Sequence, residues 1–91
     1  MGVEWDPRKA ETNRRKHGVS FGEATTAIED PLSTTFPDPD HSLDETRFVT
    51  IGMSVAERIL VVSHTDRRGW IRIISARVST PRERRFYEEN A

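Results

Sequence analysis

Arginine dominates one stretch of this chain: Trp70-Ile71-Arg72-Ile73-Ile74-Ser75-Ala76-Arg77, followed by Thr80-Pro81-Arg82-Glu83-Arg84. From Arg67 to Arg85 there are seven arginines and one acid, Glu83, in a chain whose net charge is only -1. A strand this rich in isoleucine should fill a core, so Arg72 and Arg77 within it need partners of their own. A planar guanidinium fork suits phosphate oxygens better than an ammonium does. The stretch therefore reads as a phosphate-facing surface, with Arg72 and Arg77 at its centre and Arg67, Arg68, Arg82, Arg84 and Arg85 on its flanks. The alternative is a solvated face that pairs with the acidic segment from Glu29 to Glu45, which holds six acids and no Lys or Arg. This asymmetry says more about partners than the overall charge does.

Other residues could supply proton transfer. Lys16-His17-Gly18 closes a predicted helix, where the dipole favours cations. A histidine there can act as general acid or base near neutrality, or simply cap the last carbonyls. Glu45 and Arg47 point the same way at strand spacing, to serve one ligand or to form an ordinary edge pair. His64 is expected to cap the end of a strand. Asp38, Asp40, His41 and Asp44 look superficially like metal ligands, but their spacing fits neither a calcium loop nor a zinc pattern. They read as a solvated loop, and neither metal nor cofactor is expected. No phosphate-cradling G-x-x-x-x-G-K motif and no nucleophile elbow is present, which argues against nucleotide and serine hydrolases. Metal-free RNA cleavage fits what is left. The 2′-hydroxyl is an internal nucleophile, so a protein need only position the strand, move protons and neutralise charge on the phosphate. Arginine forks, a histidine or lysine, a carboxylate and a tyrosine suffice.

The elements that must position these groups follow from caps and periodicity. Asp6-Pro7 starts a helix that Gly18 stops, running from about Pro7 to Lys16. Ser20-Phe21-Gly22-Glu23 is a capping box, and Asp30-Pro31 ends that second helix. Thr80-Pro81-Arg82-Glu83 is another capping box, opening a helix that carries Phe86 and Tyr87. Between them, strands are expected at Leu32–Phe36, Arg47–Met53, Arg58–Thr65 and Trp70–Val78, joined by short turns as an antiparallel meander. The fold class is α+β: an antiparallel sheet of about four strands, two N-terminal helices and one C-terminal helix, with helices packed on one sheet face. Regular alternation sets Arg72 and Arg77 on opposite faces. Either the strand bulges, or it ends before Arg77, or only one arginine is at the site; an early end is favoured, because Thr80 caps a helix three residues later.

Ninety-one residues make one domain, 1–91. With 34% hydrophobic residues and a mean hydropathy of -0.68, the core must be thin. The chain has no cysteine, no apolar run of membrane-spanning length and no visible secretory leader. A soluble cytoplasmic protein is expected.

Trp5-Asp6-Pro7, Asn13, Lys16-His17-Gly18-Val19, Phe21, Asp30-Pro31, Glu45, Arg47, Gly52, Arg72 through Arg77 and Glu83-Arg84…Tyr87 resemble the BrnT-type toxins of type II toxin–antitoxin systems. Those toxins look like members of the wider RelE-like ribonuclease group. The resemblance implies a small α+β ribonuclease that cuts RNA, blocks translation and arrests growth. It also implies a BrnA-type antitoxin that neutralises it and, in complex with it, represses operator DNA. Carried over by matched position, the candidate catalytic residues are Lys16, His17, Glu45, Arg47, Arg72, Arg77 and Tyr87. A competing class is a non-enzymatic module, such as a co-repressor subunit or inactive toxin relative, whose arginines face a partner or nucleic acid.

Overall fold

The computed structural model describes residues 2–41 and 45–91. Local chemistry sets the helix ends. In α1 (Pro7–His17) the Asp6 carboxylate accepts the Arg8 amide at 2.8 Å, and Gly18 closes the helix at φ 69°. In α2 (Phe21–Ile28) Ser20 Oγ accepts the Glu23 amide at 3.0 Å. The reciprocal half of that expected capping box is missing, because the Glu23 carboxylate turns instead to Arg58 Nε and the Ser54 hydroxyl. The C-terminal helix α3 (Pro81–Asn90) has the complete box between Thr80 and Glu83.

The sheet has five strands in the order β1-β5-β4-β3-β2: β1 (Val3–Glu4), β2 (Thr34–Pro37), β3 (Arg47–Met53), β4 (Ile59–Arg67) and β5 (Trp70–Val78). The four long-predicted strands form the antiparallel part. The extra strand, β1, pairs parallel with Ile71 and Arg72 of β5, so the sheet is mixed rather than wholly antiparallel. Two residues leave no alternation to detect; this strand exists only because β5 offers it an edge. The β4–β5 connection is a two-residue hairpin turn with positive φ at Arg68 (51°) and Gly69 (85°), which matches the twist of the flanking strands.

Each face of the sheet has its own core, and this corrects the expectation that all helices share one face. Leu60 and Val62 of β4 pack with Val19, Phe21, Ala24, Ala27, Ile73 and Ala76 beneath α1 and α2. Their neighbours Ile59 and Val61 point the other way, to Ile51 and Tyr87 of α3. The second apolar row needs cover, and α3 supplies it. Close approach of α2 to β3 requires Gly52, where an added Cβ would lie 2.2 Å from the Ala27 carbonyl oxygen.

The β4–β5 ladder contains the feature that matters most for function. Val61 faces Arg77 and Ser63 faces Ser75, but His64 then faces Ile73 and Thr65 faces Arg72. Ile74 is the extra residue of a β-bulge. The strand does not end early; it continues to Val78 and shifts phase on the way. Val61 and Thr65 are four residues apart on β4 and share a face, so Arg77 and Arg72 share it too. His64 does not cap a strand end. It lies buried within β4, with Nε2 2.7 Å from Thr50 Oγ1 and its ring stacked on Phe48; burial pushes its pKa down. Among the described residues no helix is long and apolar enough to cross a membrane.

Candidate nucleic-acid interface

A row of side chains crosses four strands on the α3 side of the sheet. Arg47 of β3 opposes Thr65 of β4, Thr65 opposes Arg72 of β5, and Arg72 opposes Glu4 of β1. Adjacent strands lie about 4.8 Å apart, so Arg47 and Arg72 start about 10 Å from each other across the buried Thr65. Thr65 cannot compete for a ligand, because its hydroxyl donates to the Thr46 carbonyl. Glu45 sits beside the row, with its carboxylate oxygens 3.8 Å from Arg47 and 3.7 Å from Arg67.

Arg72 and Arg77 do not converge on one point, as a single phosphate pocket would require. Four residues of β4 separate the positions they oppose, about 13 Å along the strand. Each is also held by its own carboxylate. Arg72 Nη1 donates to Glu4 Oε2 at 2.6 Å, while Arg77 makes a two-pronged contact with Glu83 at 2.7 and 2.8 Å. The Arg77 guanidinium pulls the Glu83 carboxyl down to about 2, and Glu83 in turn raises Arg77. Glu83 also accepts the Thr80 amide at 2.9 Å, so one carboxylate joins the end of β5 to the cap of α3. The phosphate-facing surface expected from sequence takes the form of a file of arginines on one face. Arg82, Arg84 and Arg85 are exposed on α3 beyond that file, and Arg68 is exposed on the β4–β5 turn.

Lys16 and His17 lie on the other side of the β5 edge. β1 covers only Ile71 and Arg72, so the remainder of β5 is flanked by α1. Asn13 closes this edge like a surrogate strand. Its amide donates to the Val19 and Ala76 carbonyls at 3.0 and 2.8 Å, and its oxygen accepts the Ala76 amide at 3.0 Å. Beside it runs a groove of about 300 Å³ lined by Arg8, Lys9, Lys16, His17, Ile74 and Ser75. Ser75 opposes Ser63, so it belongs to the face that carries Arg72 and Arg77. Bulge, groove and arginine file therefore meet at Ile74-Ser75. Gly18 caps α1 through its amide to the Arg14 carbonyl, so that role does not fall to His17. Arg8 and Lys9 were not singled out from sequence, although positions 8, 9, 12 and 16 recur at helical spacing and could have been read as one face.

Tyr87 stands apart from all of these. Its hydroxyl donates to Asp30 Oδ2 at 2.6 Å, and burial together with that carboxylate pushes the phenol up to about 12. Asp30 also accepts the Leu32 and Met53 amides, so Tyr87 fastens α3 to the turn after α2. In the acidic loop, His41 Nδ1 lies 2.9 Å from Asp38 Oδ2, while Asp44 falls outside the described residues. Among the described residues no group of three or more His, Asp or Glu is placed to hold a metal ion.

Residues 5–83 match the family model described as the ribonuclease toxin, BrnT, of type II toxin–antitoxin systems. The chain is also similar in structure to the ribonuclease toxin BrnT of Brucella abortus, solved at 1.1 Å resolution. That likeness has 27% sequence identity and a TM-score of 0.70, and it covers 88% of this chain and 97% of the Brucella one. No curated protein is significantly similar to the chain.

Proposed function

The chain belongs to the BrnT family of ribonuclease toxins of type II toxin–antitoxin systems, and on that premise we propose that the arginine file along β5 holds the RNA strand it cuts. The observation that carries this reading is the bulge at Ile74, which sets Arg72 and Arg77 on one face with Arg47 and Ser75. About 13 Å between arginine positions suits two separate phosphates of an extended strand better than two forks on one phosphate. Arg72, with Arg47 beside it, takes the scissile phosphate, and Arg77 takes one farther along the strand. Glu4 and Glu83 release the guanidinium groups to RNA or remain as the outer partners that orient them.

The chemistry is transesterification within the RNA. The 2′-oxygen bonds to phosphorus and the bond to the 5′-oxygen breaks, which leaves a cyclic phosphate and a 5′-hydroxyl. His17 or Lys16, reaching from the groove beside Ser75, takes the 2′ proton or gives one to the departing oxygen. Glu45 holds Arg47 and Arg67 toward the strand. Arg8, Lys9, Arg68, Arg82, Arg84 and Arg85 contact flanking phosphates. We assign Tyr87 to the scaffold, since its phenol is bound to Asp30.

This chemistry needs no metal, and in the cytoplasm it would block translation and arrest growth. The system's antitoxin is taken to be of the BrnA type and to bring the complex to operator DNA. The small α+β scaffold supports kinship with the RelE-like ribonucleases, with residues 1–91 as one such domain. Purified protein incubated with single-stranded RNA in excess EDTA is expected to cut it. The Arg72→Ala/Arg77→Ala variant is expected to cut at least about 100-fold more slowly. Wild-type protein that leaves RNA intact, or a double variant that cuts normally, would overturn the assignment.

A further inference from the structure

Helix α3 is electrically divided: its first half holds Arg82, Arg84 and Arg85, with Glu83 paired to Arg77, and its second half holds Glu88 and Glu89. The acidic half borders a groove of about 670 Å³ between the turn after α2, the β3–β4 turn and the end of α3. Leu32, Met53 and Val55 wall it, with Leu32 54% and Val55 79% exposed, far more than aliphatic side chains in a concave surface would be if this chain covered them. Glu29 and Glu88 stand on its rim, and among the described residues no Lys or Arg lines it. Asp30 is satisfied internally by Tyr87, Leu32 and Met53, so the outward-facing charge is that of Glu29 and Glu88.

We propose that this groove docks an amphipathic segment of the antitoxin, with apolar side chains seated between Leu32 and Val55 and flanking Lys or Arg residues against Glu29 and Glu88. The inference rests on the toxin–antitoxin reading and adds the surface and the chemistry of what occupies it. Charge selects the occupant. RNA is a polyanion and is repelled by this rim. A second copy of this chain, meeting the groove about a two-fold axis, would set Glu29 and Glu88 against the same carboxylates. A basic, partly apolar segment satisfies both the walls and the rim, as in helix-in-groove recognition. The docking surface is then distinct from the arginine file, and α3 separates the two.

Affinity for the purified cognate antitoxin tests this, by titration calorimetry on the intact toxin. Val55→Arg/Glu88→Lys is expected to weaken binding about 100-fold, and the milder Leu32→Ala/Val55→Ala about 10-fold. Both variants should still cut RNA at the wild-type rate, which shows that they are folded. Arg84→Glu/Arg85→Glu is expected to bind antitoxin within about threefold of wild type. Groove variants that bind normally, or a complex lost only in the arginine variant, would overturn the proposal in favour of docking on the basic half. Sedimentation of toxin alone should give a monomer; a dimer dispersed by Val55→Arg/Glu88→Lys would assign the groove to a second copy instead. A wild-type toxin that ignores the antitoxin altogether would remove the partner reading itself.

Discussion

Arg58 and Arg77 each grip a glutamate through two nitrogens, yet they keep different company. Around Arg58 every partner is structural. It also donates to the Gly18 carbonyl, and its glutamate, Glu23, takes the Ser54 hydroxyl as well. These bonds tie the ends of α1 and α2 to the β3–β4 turn. The Arg77 pair reaches the neighbouring Val78 carbonyl and the cap of α3, and it lies on the face shared with Arg72, Arg47 and Ser75. Residue type and pairing are the same in both places. What separates a structural arginine from a candidate functional one is how many backbone and side-chain groups from distant elements depend on it.

The widest separation is expected between activity and stability. Arg72→Ala/Arg77→Ala should lose at least about 100-fold in RNA cleavage while its melting temperature moves by only a few degrees. Arg58→Ala should do the reverse, with the remaining folded protein cutting normally. If Arg58→Ala abolished cleavage in a fully folded protein, the distinction would collapse. Asn13→Ala should destabilise by about 2–3 kcal/mol in urea melts, because the Val19 and Ala76 groups it satisfies are left buried without partners. Arg58→Ala itself should cost about 2 kcal/mol, since it strands the mostly buried Glu23 carboxylate. Tyr87→Phe should cost only about 1 kcal/mol and leave cleavage unchanged; a large loss of cleavage would return Tyr87 to the active site.

The smallest effect lies in pH dependence. Glu83 is held at about 2, below its ordinary 4.5, so its contribution to stability is complete above about pH 4.5 and fades as pH falls toward 2. Glu83→Gln keeps the helix cap but removes that titration, and its acid limb should be flatter than wild type between pH 4.5 and 2. Identical acid limbs would mean that the Arg77 pair does not form in solution.

Much of the scaffold was legible from short-range chemistry. Asp6, Ser20 and Thr80 cap the helices expected of them, and a strand forms over Trp70–Val78, though without the early end favoured for it. The failures share one cause, dependence on distant partners. Nothing in Val3-Glu4 announces a strand until β5 is in place. The bulge at Ile74 is invisible in an alternation that looks regular, and it decides which face Arg77 occupies. Tyr87 is matched to Asp30 across 57 residues, which no local pattern records. The arginine-rich stretch was plain in the sequence, whereas its carboxylate partners Glu4 and Glu83 emerge only from the fold.

The central claim is that Arg72 and Arg77 contact RNA phosphates, and the salt dependence of RNA affinity tests it most directly. For a non-cleavable single-stranded RNA, the slope of log affinity against log salt should be shallower by about 1.4 in Arg72→Ala/Arg77→Ala than in wild type, the value for two lost phosphate contacts. Parallel slopes for the two proteins would show that neither guanidinium meets the backbone.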